Sequence, residues 1–276
     1  MSKLLGRAVL ALICMCVLGV AAFSQKGKAD ASLACNDNIQ NGRLAGHCEM
    51  KEQTLPATAE TITVDGRVNG GVAIKGWDRN EILVRARIQT AAATEADAKE
   101  LASQIRIETA GAKILATGPE NRTDRWWSVS YEVFVPLRSN LSLKTTNGGI
   151  SIVDVNGRLT FSALNGGVHL KRVGGEVRGG TTNGGLAVEL SGNRWEGETL
   201  DVTTTNGGVS LLIPENYSAH LETGTVNGRV KVDFPIAVQG TISRELSVNL
   251  GSGGPTIKAM TTNGGVSIRH GEGLQF

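Results

Sequence analysis

The pentapeptide Thr-Thr-Asn-Gly-Gly occurs four times in this chain, beginning at Thr145, Thr181, Thr204 and Thr261. Looser copies stand at Arg67-Val68-Asn69-Gly70-Gly71, Ala163-Leu164-Asn165-Gly166-Gly167 and Thr225-Val226-Asn227-Gly228-Arg229. An apolar residue follows each Asn three positions on, and usually another five positions on, as in Ile150/Ile152, Val168/Leu170, Leu186/Val188, Val209/Leu211 and Val266/Ile268. A fixed-period repeat constrains architecture before anything else does, because each unit can bury its apolar face only against its neighbours. The pattern specifies a scaffold and names no chemistry.

The phrase heads Asn147, Asn156, Asn165, Gly174 and Asn183 stand nine residues apart, so two phrases make an 18-residue unit. Later intervals stretch to 23 (Asn183 to Asn206) and 21 (Asn206 to Asn227), and Asn227 to Asn263 is 36, which reads as two units of 18. Asn-Gly between alternating apolar residues is a strong turn signal, because both residues tolerate positive φ. On that basis Asn69, Asn147, Asn156, Asn165, Asn183, Asn206, Asn227 and Asn263 are read as structural turns. Two β topologies fit. A meander or sandwich would use these turns for hairpins, whereas a solenoid would pile equivalent turns into ladders about 4.8 Å apart. Verbatim copies favour the solenoid, since a sandwich has no reason to repeat its turns. Between Leu141 and His270 there is room for about seven such coils.

The first 24 residues read as a secretory signal. Lys3 and Arg7 supply the positive end, Ala8 to Phe23 the apolar run, and Ala22-Phe23-Ser24 an A-x-S cleavage site. The apolar run is shorter than the ~20 residues a spanning helix needs. The expectation is an exported protein, periplasmic or at the cell surface, with no transmembrane segment in the mature chain. Removing two cations takes the formal charge from +2 to 0, which leaves no electrostatic footprint for nucleic acid or an anionic membrane. Cys35 and Cys48 remain, and in an exported chain a bridge between them is expected. The alternative is two free thiols in a flexible leader. His47 beside Cys48 lacks the further ligands a metal site needs, so no metal or cofactor is expected.

Residues 25–57 read as a polar, poorly ordered leader apart from that disulfide loop. Residues 58–136 read as an N-terminal β-rich part with one helix, and 137–276 as the repeat solenoid. Ile62/Val64, Val72/Ile74 and Ile82 to Ile88 alternate as strands. Thr94 to Gln104 reads as a helix capped by Thr94, with Asp97 at the third position and Ala98, Leu101, Ala102 and Ile105 on its apolar face. Trp127, Val129, Tyr131, Val133 and Val135 alternate again, ending at Pro136. The N-terminal strands, which carry their own copy of the motif at Asn69, are either further coils or a separate fold.

These residues carry a family resemblance. Gly76-Trp77-Asp78-Arg79 stands before the strand Ile82 to Ile88, followed by the Thr94–Gln104 helix and Tyr131-Glu132-Val133-Phe134-Val135-Pro136. Together with the Thr-Thr-Asn-Gly-Gly coils through Ile268, the order over Thr54 to His270 resembles the putative-adhesin family of unknown function, exported bacterial β-solenoids with a head-domain-like coil. The resemblance implies an all-β, single-stranded right-handed β-solenoid with one short helix near the N-terminal end. It implies no enzymatic activity and carries over no catalytic residues.

The residues themselves point the same way. The calcium β-roll repeats Gly-Gly-x-Gly-x-Asp, but Gly166 to Arg172 holds no acid, and Asp154 alone cannot supply six to eight oxygens. The paired threonines do not make an ice-binding face, because the intervening copies carry Val155, Ala163 and Val173. Polysaccharide-cleaving solenoids need two carboxylates at a set separation. Asp154, Glu189, Glu196 and Asp201, with Arg172, Arg178 and Arg194, are the candidates, and the register does not bring them into one cluster. His169, between Val168 and Leu170, points to solvent. Trp127 falls in the inward set and Trp126 opposite it. Arg194, Trp195 and Glu196 lie in the stretched interval and form the candidate ligand loop, against the alternative that Trp195 folds back over the sheet. The leading expectation is a non-enzymatic structural or adhesive module meeting a surface glycan or protein. The alternatives are a carbohydrate-active enzyme with its site on one face, and end-to-end self-association through an uncapped C-terminal coil, Thr261 to His270.

Overall fold

A computed structural model describes residues 33–35, 40–41, 43–235 and 244–271. The segment read as a secretory signal, residues 1–24, lies outside the described residues. Alternating sequence becomes alternating burial: Ile62 and Val64 are buried while Thr63 and Asp65 are half-buried, and the same two-residue period runs through the later strands. In chain order the N-terminal part holds β1 (Gln40–Asn41), β2 (Leu44–Pro56), β3 (Ile62–Asp65), β4 (Val72–Trp77) and β5 (Glu81–Ala92). Helix α1 (Glu95–Ser103) follows, then β6 (Arg106–Glu108), β7 (Lys113–Thr117) and β8 (Trp126–Pro136).

The repeats continue as strand pairs. These are β9 (Leu141–Thr145) with β10 (Ile150–Val153), β11 (Asn156–Ala163) with β12 (Val168–Lys171), β13 (Gly174–Asn183) with β14 (Leu186–Glu189), and β15 (Thr199–Asn206) with β16 (Val209–Ile213). Next come β17 (Ala219–Asn227) with β18 (Val230–Val232), then β19 (Glu245–Leu250), and finally β20 (Thr256–Asn263) with β21 (Val266–His270).

Each pair gives one strand to each of two facing sheets, so the repeats form a β-solenoid in which every coil is a rung. Neighbouring rungs pair in parallel and in register. Ile150 lies beside Val72 and Val168, Val168 beside Leu186, and Leu186 beside Val209. The inward residues join one core that runs from Ile62 to Ile268. The solenoid is not one uniform winding, however, because the sheets are mixed. β8 lies parallel to β4, but β5 lies antiparallel to β8 and β2 antiparallel to β5.

Three expectations are corrected here. The leader is not structureless over 44–56, because those residues pair antiparallel along the whole of β5. Its mixed residues gave no period, since β2, bordered on its outer side only by the two-residue β1, buries little of either face. The 36-residue interval from Asn227 to Asn263 is not two further coils, so Leu141 to His270 holds six rungs. Part of that interval is β19, which pairs antiparallel with β17.

Finally, the last coil is not at an end. β20 lies between β15 and β17, and β21 between β16 and β18. The rungs therefore follow the order β3/β4, β9/β10, β11/β12, β13/β14, β15/β16, β20/β21, β17/β18. Both edges of the C-terminal coil are already paired, which removes the free edge on which end-to-end association through Thr261–His270 depended.

Helix α1 packs on β5 and β2 through Ala98, Leu101 and Ala102. Thr94 caps it, its hydroxyl oxygen accepting from the Asp97 N–H at 3.1 Å. Thr90 Oγ1 donates to the Ala98 carbonyl at 2.7 Å and ties strand to helix.

Candidate functional site

The repeated motif forms the corner between the two sheets, and its residues have separate tasks. The Asn side chains make one continuous ladder on the outside. Asn147 Nδ2 donates to Asn69 Oδ1 at 3.0 Å, Asn165 to Asn147 at 2.8 Å, Asn183 to Asn165 at 2.7 Å and Asn206 to Asn183 at 2.8 Å. Asn263 then donates to Asn206 at 2.8 Å, and Asn227 to Asn263 at 2.7 Å. This amide chain follows the spatial order of the rungs, not the order of the sequence.

The first Thr of each motif points inward. Thr145, Thr181, Thr204, Thr261 and Thr225 are buried, and each Oγ1 donates to the first-glycine carbonyl of an adjacent rung, at 2.6–2.8 Å. Ala163 occupies the same position in its rung and has no hydroxyl to give.

The Asn-Gly corners are not positive-φ turns. Among the described non-glycine residues, positive φ occurs at Arg67, Ala112, Asp154, Arg172 and Asn216, and the corner asparagines are not among them. The first glycine is required by close approach: a Cβ on Gly166 would lie inside the Gly148 carbonyl of the adjacent rung. Asn156 also departs from the reading. It starts β11 on the opposite edge, its N–H donating to the Leu137 carbonyl at 2.8 Å, and takes no part in the amide ladder. The nine-residue period places alternate phrases on opposite edges.

On that opposite edge Asp154 and Arg172, both left-handed, pair through two hydrogen bonds of 2.6 Å. Beside them lies a cleft of about 320 Å³ that Arg194, Trp195 and Glu196 help to line. Arg194 and Glu196 are exposed, but Trp195 is 3 % exposed and its Nε1 donates to the Gly175 carbonyl at 3.2 Å. Trp195 is therefore a core residue folded back under its loop, not a platform for a sugar ring. Tyr217 in the same cleft is buried, and burial first, then the charge of Glu196, pushes its phenol pKa up.

The other carboxylate candidates are engaged between rungs. Glu189 meets Lys171 at 3.1 Å, and Asp201 lies 3.8 Å from Arg178. Glu176 accepts from Arg178 and Arg158, each at 3.0 Å, and those two bonds, in that order, hold its carboxyl below the usual range. Among the described residues no group of three or more His, Cys, Asp or Glu is placed to hold a metal ion.

The sequence reading missed Glu132, which is buried on the β8 strand against Arg85 and Lys75, the latter at 3.0 Å. Arg85 also donates to Glu52 at 2.7 Å, and that bond leads the causes raising its pKa. The available signal was a lone acid inside Tyr131-Glu132-Val133-Phe134-Val135. His169 is exposed. Trp126 and Trp127 are both half-buried. A disulfide joins Cys35 to Cys48 with their Cα atoms 5.8 Å apart, which fixes residue 35 to the start of β2.

The fold and its corners define a two-sheet β-solenoid whose corner Asn and Thr side chains tie rung to rung. The family profile described as Toastrack DUF4097 matches residues 51–269, and the chain belongs to that family. Among solved structures it is similar to a putative cell adhesion protein from Clostridium sporogenes ATCC 15579, with 12 % identity and a TM-score of 0.43 over 81 % of this chain and 100 % of that one. It is also similar to a putative adhesin from Bacteroides fragilis NCTC 9343, with 10 % identity and a TM-score of 0.35 over 80 % and 97 % of the two chains. A putative lipid binding protein from Parabacteroides distasonis ATCC 8503 gives 7 % identity and a TM-score of 0.31 over 80 % and 96 %. Similarities this slight carry no function across. No curated protein matches the chain. Among the described residues no helix is long and apolar enough to cross a membrane.

Proposed function

We propose that this chain is an exported, non-enzymatic structural or adhesive module that presents the outer faces of its solenoid to a cell-surface glycan or protein. The observation that carries the reading is the unbroken amide ladder from Asn69 to Asn227, with the hydroxyl row inside it. Seven rungs are tied together by these side chains, which spends the most regular polar residues of the chain on scaffolding. The ion pairs of Asp154, Glu176 and Glu189 extend the same use of polar residues to the opposite edge and the faces. Right-handed winding of a single strand path is part of the proposal, since parallel crossover connections take that hand in roughly 98 % of cases. Export is supported by the 24-residue leader and by a disulfide, a bond that persists in oxidising compartments.

The test is a glycan array probed with the purified mature chain, run beside a reducing-end assay on the same glycans. Binding without release of new ends is the expected result. Turnover that survives repurification would replace the adhesive reading with the carbohydrate-active one.

A further inference from the structure

The asparagine ladder stops at Asn69, and the reason opens a cavity. The next rung beyond β3/β4 consists of β7 and β8, which pair in parallel with β3 and β4. Residues 118–125 join these two strands in place of a two-glycine corner. Without the tight corner the sheets part, leaving a cavity of about 410 Å³ between that loop and the corner at Gly66–Asn69. Its wall includes Ala116, Pro119, Trp127 and Val129. Trp127 is held in place, its Nε1 donating to the Pro119 carbonyl at 2.6 Å. The Asn121 side chain accepts from the Trp127 N–H at 2.8 Å and donates to its carbonyl at 3.0 Å.

One wall residue is polar and has no partner. Tyr131 is 2 % exposed, it lines the cavity, and its hydroxyl oxygen is buried without a hydrogen bond. Buried polar groups are nearly always paired, so each exception needs a reason. Burial, then the charge of Asp65, pushes the phenol pKa up, while Arg67 opposes them. The hydroxyl thus stays a neutral donor within the field of one anion and one cation. Arg67, in a left-handed backbone, also lines the cavity, with its N–H donating to Asp65 Oδ1 at 2.7 Å and its Nε to the Ala116 carbonyl at 3.2 Å. Glu120 places an acid in the cavity lining, which disfavours an anionic guest.

We propose that this cavity binds an uncharged, mainly apolar small molecule whose single carbonyl oxygen accepts the Tyr131 hydroxyl. The volume lies within the range of about 300–1,000 Å³ typical of small-molecule sites. Such sites combine apolar walls with a few placed polar groups, as here.

Prodan, an uncharged naphthyl ketone, titrated into the full chain tests this through its emission. The site gives saturable binding with a blue shift, and Tyr131→Phe weakens binding about tenfold, the worth of one hydrogen bond. The melting temperature of Tyr131→Phe stays at or above that of the parent, since only an unpaired hydroxyl is lost. As a second measurement on the parent chain, 2-undecanone displaces Prodan about tenfold better than undecane does. Absence of saturable binding overturns the proposal and leaves a void that holds water. Equal affinity in Tyr131→Phe, or equal displacement by ketone and alkane, overturns it too. Should Tyr131→Phe melt far lower, the ketone and alkane comparison decides alone.

Discussion

The two glycines of each corner motif look alike in sequence and should respond very differently to a methyl group. A Cβ on Gly166 would stand 2.5 Å from the Gly148 carbonyl carbon and 3.0 Å from the Gly149 nitrogen. Ordinary contact needs about 3.5 Å or more, so adjacent rungs would have to open by about 1 Å. Both groups it meets are backbone and cannot swing aside. Opening the rungs also strains the Asn165–Asn147 amide bond and the backbone bond from the Asn165 N–H to the Thr146 carbonyl. Overpacking alone costs about 1–3 kcal/mol, and with the loosened bonds Gly166→Ala should lose about 3 kcal/mol or more. For a chain of this size that lowers the melting temperature by about 6–12 °C. At Gly167 the nearest atom to a Cβ is the Gly185 carbonyl oxygen at 3.5 Å, which is ordinary contact. Restricting the unfolded chain there is worth about 0.4–1 kcal/mol in favour of Ala, so Gly167→Ala should melt within a few degrees of the parent. Thermal melts followed by circular dichroism measure both. Equal melting temperatures for the two variants would refute the claim that the first glycine is demanded by the adjacent rung.

The inner hydroxyl row makes a paired prediction. Thr204→Val strands the Gly184 carbonyl and should cost about 1–3 kcal/mol, whereas Ala163→Thr completes the row and should gain about 0.5–1.5 kcal/mol, both read from denaturant midpoints. Glu132→Ala leaves Lys75 and Arg85 facing an apolar strand. Because both cations are partly exposed, the loss should fall at or below the ~3 kcal/mol end of the range for breaking a buried pair. Tyr131 and Tyr217 have phenol pKa values raised by burial, so the fold favours their neutral forms. That stability is complete below about pH 10 and is lost as pH rises further, which a melting series from about pH 8 to 11 will show. Glu176 acts in the opposite sense. Its lowered pKa contributes stability above the ordinary carboxylate range that disappears as pH falls through the folded value, and Glu176→Gln should flatten that acid limb.

Much of the architecture was legible because the motif repeats with its hydrophobic follow-on residues. Ile150, Val168 and Leu186 are one unit of 18 apart and lie side by side in the sheet. The helix was legible from Thr94 and the Ala98/Leu101/Ala102 face for the same reason, a period joined to a cap. What escaped the reading has physical causes. Sequence-equivalent corners are interchangeable as neighbours, so nothing in Asn206, Asn227 or Asn263 reveals which stacks on which. Asn-Gly signals a hairpin only where the backbone turns through positive φ. In a stacked corner glycine answers instead to a carbonyl from a distant part of the chain. β2 gave no signal because its order comes from pairing with β5, not from its own pattern. The cavity beside Tyr131 arises from a motif that is missing between β7 and β8, and a missing copy is harder to see than a present one. In the candidate loop the sequence identified an interruption of the repeat, but a Trp flanked by polar residues does not disclose that it folds inward.

The corners stack in spatial order, with the C-terminal coil inserted between two earlier ones. Paired cysteine substitutions at the ladder positions test it directly. Adjacent rungs place equivalent Cα atoms about 4.8 Å apart, within disulfide reach, and alternate rungs about 9–10 Å apart, beyond it. Under mild oxidation Asn206→Cys with Asn263→Cys should crosslink, as should Asn263→Cys with Asn227→Cys, while Asn206→Cys with Asn227→Cys should stay reduced. Efficient crosslinking of positions 206 and 227, with none between 206 and 263, would mean that the coils stack in chain order and would contradict the fold described.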